Sequence, residues 1–371
     1  MWVHPFRRFG APELCGACEF SKIRTTLDGT RAMITYSPPA PATHVPLIDL
    51  SGSRAFDPSR RDHLAREIHV ACRTIGFFYV TGHGVSQVLI DCVFRAAKAF
   101  FALPLADKVA LDMRHSPTRA GYEPIAAQVL DSQDADSPSA PPDLKESFYC
   151  GLELPADDPW SMRRLRGYGH NQWPSQRPEL REVMVAYYAE VARLGEHLLQ
   201  LIARSLELDE HWFRQYFDPP SATLRLIRYP PQPADAAFNQ IGAGAHTDWG
   251  GVTLLAQDDS GGLEVRNLAG QWIDAPPVPG AFVVNLGDLM ARWTNGVYSS
   301  NMHRVKNNRS GRDRYSIPFF MSPRPDARIE AIPGCVAPGA APLHPACTAA
   351  EHMDEMFRRS YGYDSTQAAG A

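Results

Sequence analysis

No apolar run in this chain of 371 residues approaches the roughly 20 needed to cross a bilayer. An excess of one charge is also lacking: 37 Lys and Arg stand against 41 Asp and Glu, a net charge of −4. No broad field therefore points to nucleic acid or an anionic membrane surface. Cysteine is sparse and odd in number, seven scattered residues, which argues against a disulfide framework. Cys15 and Cys18 form a lone Cys-x-x-Cys, without the second ligand pair that a structural zinc site requires. No glycine-rich G-x-x-x-x-G-K-[ST] or G-x-G-x-x-G loop follows a strand, so a nucleotide-binding signature is missing. The opening "MWVHPFRRFG" has no apolar signal core, and Met33 is an alternative start. The expectation is a cytoplasmic protein, a monomer or weak dimer, whose partner is a small molecule rather than nucleic acid or membrane.

What is present is an ordinary globular balance, 44% hydrophobic and 21% charged. Residues 1–43 lack periodicity, end in "SPPAPAT", and read as a poorly ordered leader. "HVPLIDL" reads as a first strand. Leu64, Ile68, Ala71, Cys72 and Ile75 recur at helical spacing up to Gly76. "FFYVTGHG" is a strand and turn, and "SQVLIDCVFRAAKAFFAL" a helix stopped by Pro104. Residues 112–176 read as irregular, with a strand in "DLKESFYCGLEL" and a loop, a lid or disordered, near 131–143. A long helix runs from Pro178 through Leu180, Met184, Tyr187, Val191, Leu194, Leu198 and Leu201. The period then changes to two. "ATLRLIRYP", "VTLLAQ", "GLEVRN", "QWIDAP", "GAFVVNLGDL", "HRVKN" and "RYSIPFFM" are short strands, "NLAGQ" is a hairpin turn, and a closing helix lies near 348–360. Many short strands at regular spacing predict a sandwich or barrel.

Chemistry enters at "GAHTDWGGVTLLAQ". In a strand, His246 and Asp248 project from one face and can reach one point; in a helix they would diverge. His352 and Asp354 have the same spacing within a helical pattern, which serves as a control and reads as a polar, solvent-facing pair. "IGAGA" before the first pair reads as a glycine-rich turn. His303, in "SSNMHRVKNN", is the best third ligand, because a later barrel strand can return beside the first. Two imidazoles and a carboxylate suit a non-haem Fe(II) centre, although zinc hydrolases use the same set. Arg314 and Ser316 also share a strand face. A guanidinium turned inward needs an anion, either a structural carboxylate or a bound organic acid.

These segments together resemble the isopenicillin N synthase-like branch of the Fe(II)/2-oxoglutarate-dependent oxygenases. "VPLIDLS", "GFFYVTGHGV" and "FFALPLADK" are similar to its N-terminal region. "LRLIRYPPQP", "GAHTDWGGVTLLAQDDSGGLEV", "SSNMHRV" and "DRYSIPFF" are similar to its catalytic core. The resemblance implies an α+β fold with a mainly β core, a distorted double-stranded β-helix or jelly roll, flanked by N-terminal helices and a C-terminal helix. It divides the chain into an N-terminal region at 44–176, a catalytic core with its supporting helix at 177–330, and a closing segment at 331–371. It implies Fe(II) on His246, Asp248 and His303, 2-oxoglutarate on Arg314, Ser316 and Tyr229, and O2 as oxidant. Ile227 stands where many plant-type relatives carry asparagine. The implied activity is oxidation of a small molecule's C–H bond by hydroxylation, desaturation or cyclisation, with release of succinate and CO2. Within the same fold, iron oxidases that do without 2-oxoglutarate, resembling isopenicillin N synthase or aminocyclopropanecarboxylate oxidase, and ethylene-forming enzymes are the alternatives. A non-catalytic metal or ligand sensor is disfavoured, because the whole residue set is kept. Tyr122, Phe148, Trp249 and Phe320 are candidate pocket aromatics. Trp249 has outward packing against a loop as its competing role, and the other three have core packing.

Overall fold

A computed structural model describes residues 42–55, 57–128, 142–233, 240–306, 308 and 310–361. Cys15, Cys18, Met33 and most of the loop expected over 131–143 lie outside them. The helices are α1 (Pro58–Thr74), α2 (Gln87–Phe101), α3 (Leu105–Val109), α4 (Pro159–Met162), α5 (Glu179–Ser205), α6 (Asp288–Trp293) and α7 (Ala349–Tyr361). The expected apolar stripe of α1 is its buried face: Leu64, Ile68, Ala71 and Cys72. Asp57 caps it, its carboxylate accepting from the N–H groups of Ser59 and Arg60 at 3.0 and 3.2 Å. Pro58 opens the helix, where no N–H is needed. Gly76, at φ 67°, lies just beyond its end; a Cβ there would overlap the Ser299 carbonyl.

The strands are β1 (Leu47–Asp49), β2 (Phe77–Thr81), β3 (Gly121–Glu123), β4 (Glu146–Gly151), β5 (Ser221–Tyr229), β6 (Ala243–His246), β7 (Val252–Gln257), β8 (Leu263–Arg266), β9 (Trp272–Asp274), β10 (Phe282–Leu286), β11 (His303–Val305), β12 (Arg314–Ser322), and a small pair, β13 (Arg328–Ile329) and β14 (Cys347–Thr348). One sheet runs β1-β2-β10-β7-β12-β5-β4-β3, a second β6-β11-β8-β9. Ile227, Tyr229 and Val283 of the first pack with Ala243, Leu263, Val265 and Val305 of the second. Four strands on each side of that core make the expected jelly roll, with four further strands widening one sheet.

Strand alternation divides the large sheet into two environments. On β12, Tyr315, Ile317, Phe319 and Met321 join the core shared with α1, α2 and α5. Arg314, Ser316, Pro318 and Phe320 face the opposite way and line a cavity between the sheets. Gly195 lets α5 lie close against this sheet, since a Cβ there would overlap the Met321 sulfur. Among the described residues, Cys72, Cys92, Cys150, Cys335 and Cys347 are free thiols, and no helix is long and apolar enough to cross a membrane.

Several local expectations are corrected. "IGAGA" is not simply a turn, since Ala243–His246 is a strand. "GAFVVNLGDL" is a strand only to Leu286; Gly287 is the N-cap of α6. Pro104 ends one helix but also opens another, α3. The stretch 112–176, read as irregular apart from one strand, holds that strand as β4 and also β3 and α4.

His197 on α5 is buried, its Nε2 2.8 Å from Ser53 Oγ. Burial, reinforced by Arg54 and Arg61, holds its pKa down at about 4, against an ordinary 6.5. Between those values the unfolded chain binds more protons, so stability falls as pH is lowered from 6.5 to about 4. His197→Gln should flatten that decline by roughly 1–3 kcal/mol in denaturant titrations across this window. An unchanged decline would rule this imidazole out as its source.

Candidate metal centre

His246 ends β6 and His303 begins β11, and the two are direct partners in antiparallel register. The pairing sets their ring centroids 4.2 Å apart although 57 positions separate them in the chain. Asp248 does not share a strand with His246, which corrects the reading from spacing. β6 stops at His246, and the turn into β7 folds the carboxylate back toward the same point. Asp248 Oδ1 lies 3.8 Å from His303 Nε2. One donor atom from each residue lies within 4.8 Å of the others, the one such cluster of three or more His, Cys, Asp or Glu among the described residues.

The surroundings fit a divalent metal. His246 Nδ1 donates to the Gly244 carbonyl at 2.7 Å, leaving Nε2 as the lone-pair donor. Asp248 Oδ2 accepts from Thr253 Oγ1 at 2.6 Å and Asn285 Nδ2 at 2.7 Å, leaving Oδ1 turned toward His303. Burial, with His303 close by, holds the His246 imidazole well below its ordinary pKa, so it is neutral near pH 7. Burial alone would raise the Asp248 pKa, but His303, His246 and the two hydrogen bonds outweigh it and keep the carboxylate ionised. Neutral imidazoles and an ionised carboxylate are the forms that bind metal. Asp288, pushed up to about 6 by burial, accepts from Thr247 Oγ1 at 3.2 Å, and its N–H donates to the Asp248 carbonyl at 2.8 Å.

Arg314, only 2% exposed, opens β12 directly opposite Tyr229 of β5. Its guanidinium lies 4.7 Å over the Tyr229 ring, and Nε donates to the Gly261 carbonyl at 2.6 Å. Nη1 is buried without a hydrogen-bond partner, and no carboxylate among the described residues pairs with Arg314. Ser316, two residues on, shares its face, and both line the cavity that reaches His246, Asp248 and His303. An orphaned N–H on a buried cation calls for an anion from outside the chain.

The candidate aromatics fall in two environments. Phe320 and Trp249 line a second cavity, which also reaches His246 and Asp248. Trp249 packs edge-on against Phe357 of α7 at 4.9 Å, rather than against a loop. Tyr122 and Phe148 are not pocket residues. Phe148 is buried on the helix side against Phe100, and Tyr122 donates to Glu146 Oε2 at 2.6 Å. On β4 the neighbouring Tyr149 faces the cavity instead. Tyr149, Arg166 and Arg225 are cavity residues that the sequence reading missed. Arg225 was within reach of it, because Tyr229 and Arg225 share one face of β5. His352 is helical as expected, but it is buried beside the Trp249 backbone and not on the surface.

A jelly roll with a His-Asp-His cluster and an adjoining cavity that holds a buried arginine defines a class of non-haem metal enzyme. Residues 45–176 match the family described as non-haem dioxygenase in morphine synthesis N-terminal, and residues 220–323 the 2OG-Fe(II) oxygenase superfamily. The chain is 40% identical over 326 residues to the 2-oxoglutarate-Fe(II) type oxidoreductase hxnY of Emericella nidulans, covering 86% of this chain and 91% of that one. It is 37% identical over 317 residues to a 2-oxoglutarate-Fe(II) type oxidoreductase of Aspergillus fumigatus, covering 84% and 92%. Among solved structures, a full-length Neurospora crassa protein in complex with 2-oxoglutarate (alpha-KG) and thymine has a TM-score of 0.74 at 30% identity, covering 86% of this chain and 97% of that one. The chain belongs to the Fe(II)/2-oxoglutarate-dependent oxygenase superfamily, with the architecture of its isopenicillin N synthase-like branch. It is an Fe(II)- and 2-oxoglutarate-dependent dioxygenase that oxidises a small molecule.

Asn285→Leu keeps the size of the side chain but removes the donor on Asp248 Oδ2. It should weaken Mn(II) binding about 10- to 100-fold in an anaerobic titration. Affinity equal to that of the parent protein would show that this hydrogen bond does not set the ligand.

Proposed function

We propose that His246, Asp248 and His303 hold the ferrous iron, and that Arg314, Ser316 and Tyr229 seat the far carboxylate of 2-oxoglutarate. The observation that carries this reading is the orphaned Arg314 Nη1, buried in a cavity that reaches all three donors. When bound, iron and 2-oxoglutarate supply an oxidant from O2, with succinate and CO2 as co-products. The chain's own residues do the rest. Thr253 and Asn285 fix the Asp248 rotamer, and the Gly244 carbonyl fixes the His246 tautomer. Arg314, stacked on Tyr229 and tied to Gly261, offers its remaining N–H groups to the anion in a preset orientation. The substrate is placed in the second cavity, along the walls shared with His246 and Asp248, where Trp249 and Phe320 exclude water from the reacting face. No acid–base dyad is needed. We also assign 44–176 as the N-terminal region, 177–330 as the catalytic core with its supporting helix, and 331–371 as the closing segment.

Two variants test this. Asp248→Ala should abolish succinate release; full turnover would overturn the ligand assignment. Arg314→Gln should raise the KM for 2-oxoglutarate about 10- to 100-fold, the worth of hydrogen bonds to a charged group, while Mn(II) still binds. O2 uptake independent of 2-oxoglutarate would instead place a substrate carboxylate on Arg314 and Ser316.

A further inference from the structure

Spacing alone would put Asp248 on a strand, but β6 ends at His246 and residues 247–251 lie outside every strand and helix. What folds the carboxylate back is the junction of β10 with α6. Three successive peptide N–H groups there donate to carbonyls of the turn: Gly287 to Gly251 at 3.0 Å, Asp288 to Asp248 at 2.8 Å and Leu289 to Gly250 at 3.1 Å. The Asp288 side chain adds a fourth bond, its Oδ2 accepting from Thr247 Oγ1 at 3.2 Å. The packing is close on both sides of the turn. A Cβ at Gly287 would overlap the Gly250 carbonyl, one at Gly250 the Ser322 hydroxyl, and one at Gly251 the Phe217 ring.

The three peptide bonds do not depend on the side chain at 288, since any residue but proline supplies the N–H. The carboxylate is the part that calls for an explanation. Burial and the neighbouring Asp248 charge both work against an ionised acid at this position. A side chain serving stability alone would not bring a second acid beside Asp248. What the carboxylate reaches is Thr247, the residue between two members of the His-Asp-His cluster. With its N–H on the Asp248 carbonyl and its carboxylate on Thr247, one residue grips two consecutive positions of the turn. Thr253 and Asn285 set the rotamer of the Asp248 side chain, but a rotamer aims an oxygen only as well as the backbone beneath it is held.

We propose that Asp288 is a positioning residue for the metal centre. Through Thr247 it locks the turn, so that Asp248 Oδ1 stays aimed at the point shared with His246 and His303. The inference rests on the ligand assignment made under the proposed function.

The test is a binding measurement without turnover. The full chain is titrated anaerobically with Mn(II), free ion is read by electron paramagnetic resonance, and the Tm of the metal-free protein is recorded beside it. Thr247→Val removes the hydroxyl at constant size, Thr247→Ser keeps it, and Asp288→Ala removes the carboxylate but not the N–H. Thr247→Val and Asp288→Ala are each expected to weaken Mn(II) about tenfold. The double variant is expected to be no weaker than either single one, because both break the same bond. Thr247→Ser is expected to bind as the parent does. Parent-like affinity in Thr247→Val, equal loss in Thr247→Ser and Thr247→Val, or losses that add in the double variant would each overturn the proposal. So would a fall in Tm with Mn(II) affinity unchanged, the mark of a contact that only stabilises the fold. If Asp288→Ala does not fold, the comparison of Thr247→Val with Thr247→Ser decides alone. Mn(II) binding that survives Asp248→Ala undiminished would overturn the ligand assignment and this inference with it. Loss in Asp248→Ala beside parent affinity in Thr247→Val overturns this inference alone.

Discussion

The antiparallel pairing of β6 with β11 is the constraint on which the rest of the molecule depends. It sets His246 opposite His303 across one ladder. A one-residue slip of either strand would turn its imidazole to the other face and dissolve the cluster. Each strand is short, so the pairing relies on neighbours. β8 holds β11 from the other side through Val265, Glu264 and Leu263. Behind them, Ala243, Leu263, Val265 and Val305 pack on Ile227, Tyr229 and Val283. The apolar core between the sheets therefore acts as the jig for the His-Asp-His cluster, and the N-terminal helices and α5 support the opposite face of the large sheet.

The same alternation explains how one sheet tolerates so much buried charge. One parity on β12 and β5 puts Tyr315, Ile317, Phe319, Leu224 and Leu226 into the core shared with the helices, with Arg228 at its end paired to Glu146, while the other carries Arg314, Ser316, Arg225 and Tyr229 toward the small sheet. Buried ions are destabilising unless partnered. Arg225 has Glu123 at 2.7 Å, and Lys145 pairs with Asp143 close to His246. The open N–H of Arg314 and the Asp248 oxygen turned toward His303 stand apart from this pattern, and both residues border one cavity. Positions that break the rule of satisfied polar groups are where a ligand is expected.

Much of this was legible because period is a physical signal. Leu64, Ile68 and Cys72 announced α1, the run from Leu180 to Leu201 announced α5, and the alternation in "RYSIPFFM" put Arg314 and Ser316 on one face. What escaped depended on phase or on loops. β4 follows an irregular stretch, so nothing in the sequence set which parity faces the cavity, and Phe148 was chosen where Tyr149 is the wall residue. Asp248 was expected on a strand because spacing alone does not tell a strand from a turn that folds back. Arg166 lies outside every strand and helix, so no period marked it as a cavity residue.

The central claim is that three side chains, two of them opposed across a strand pair and the third folded back by a turn, surround one divalent ion. Crystals grown anaerobically with Mn(II), with diffraction recorded on both sides of the manganese absorption edge, test it most directly. The account predicts a single strong anomalous peak about 2.0–2.3 Å from His246 Nε2, Asp248 Oδ1 and His303 Nε2. A peak that omits any of the three, or no peak at full manganese loading, would contradict it.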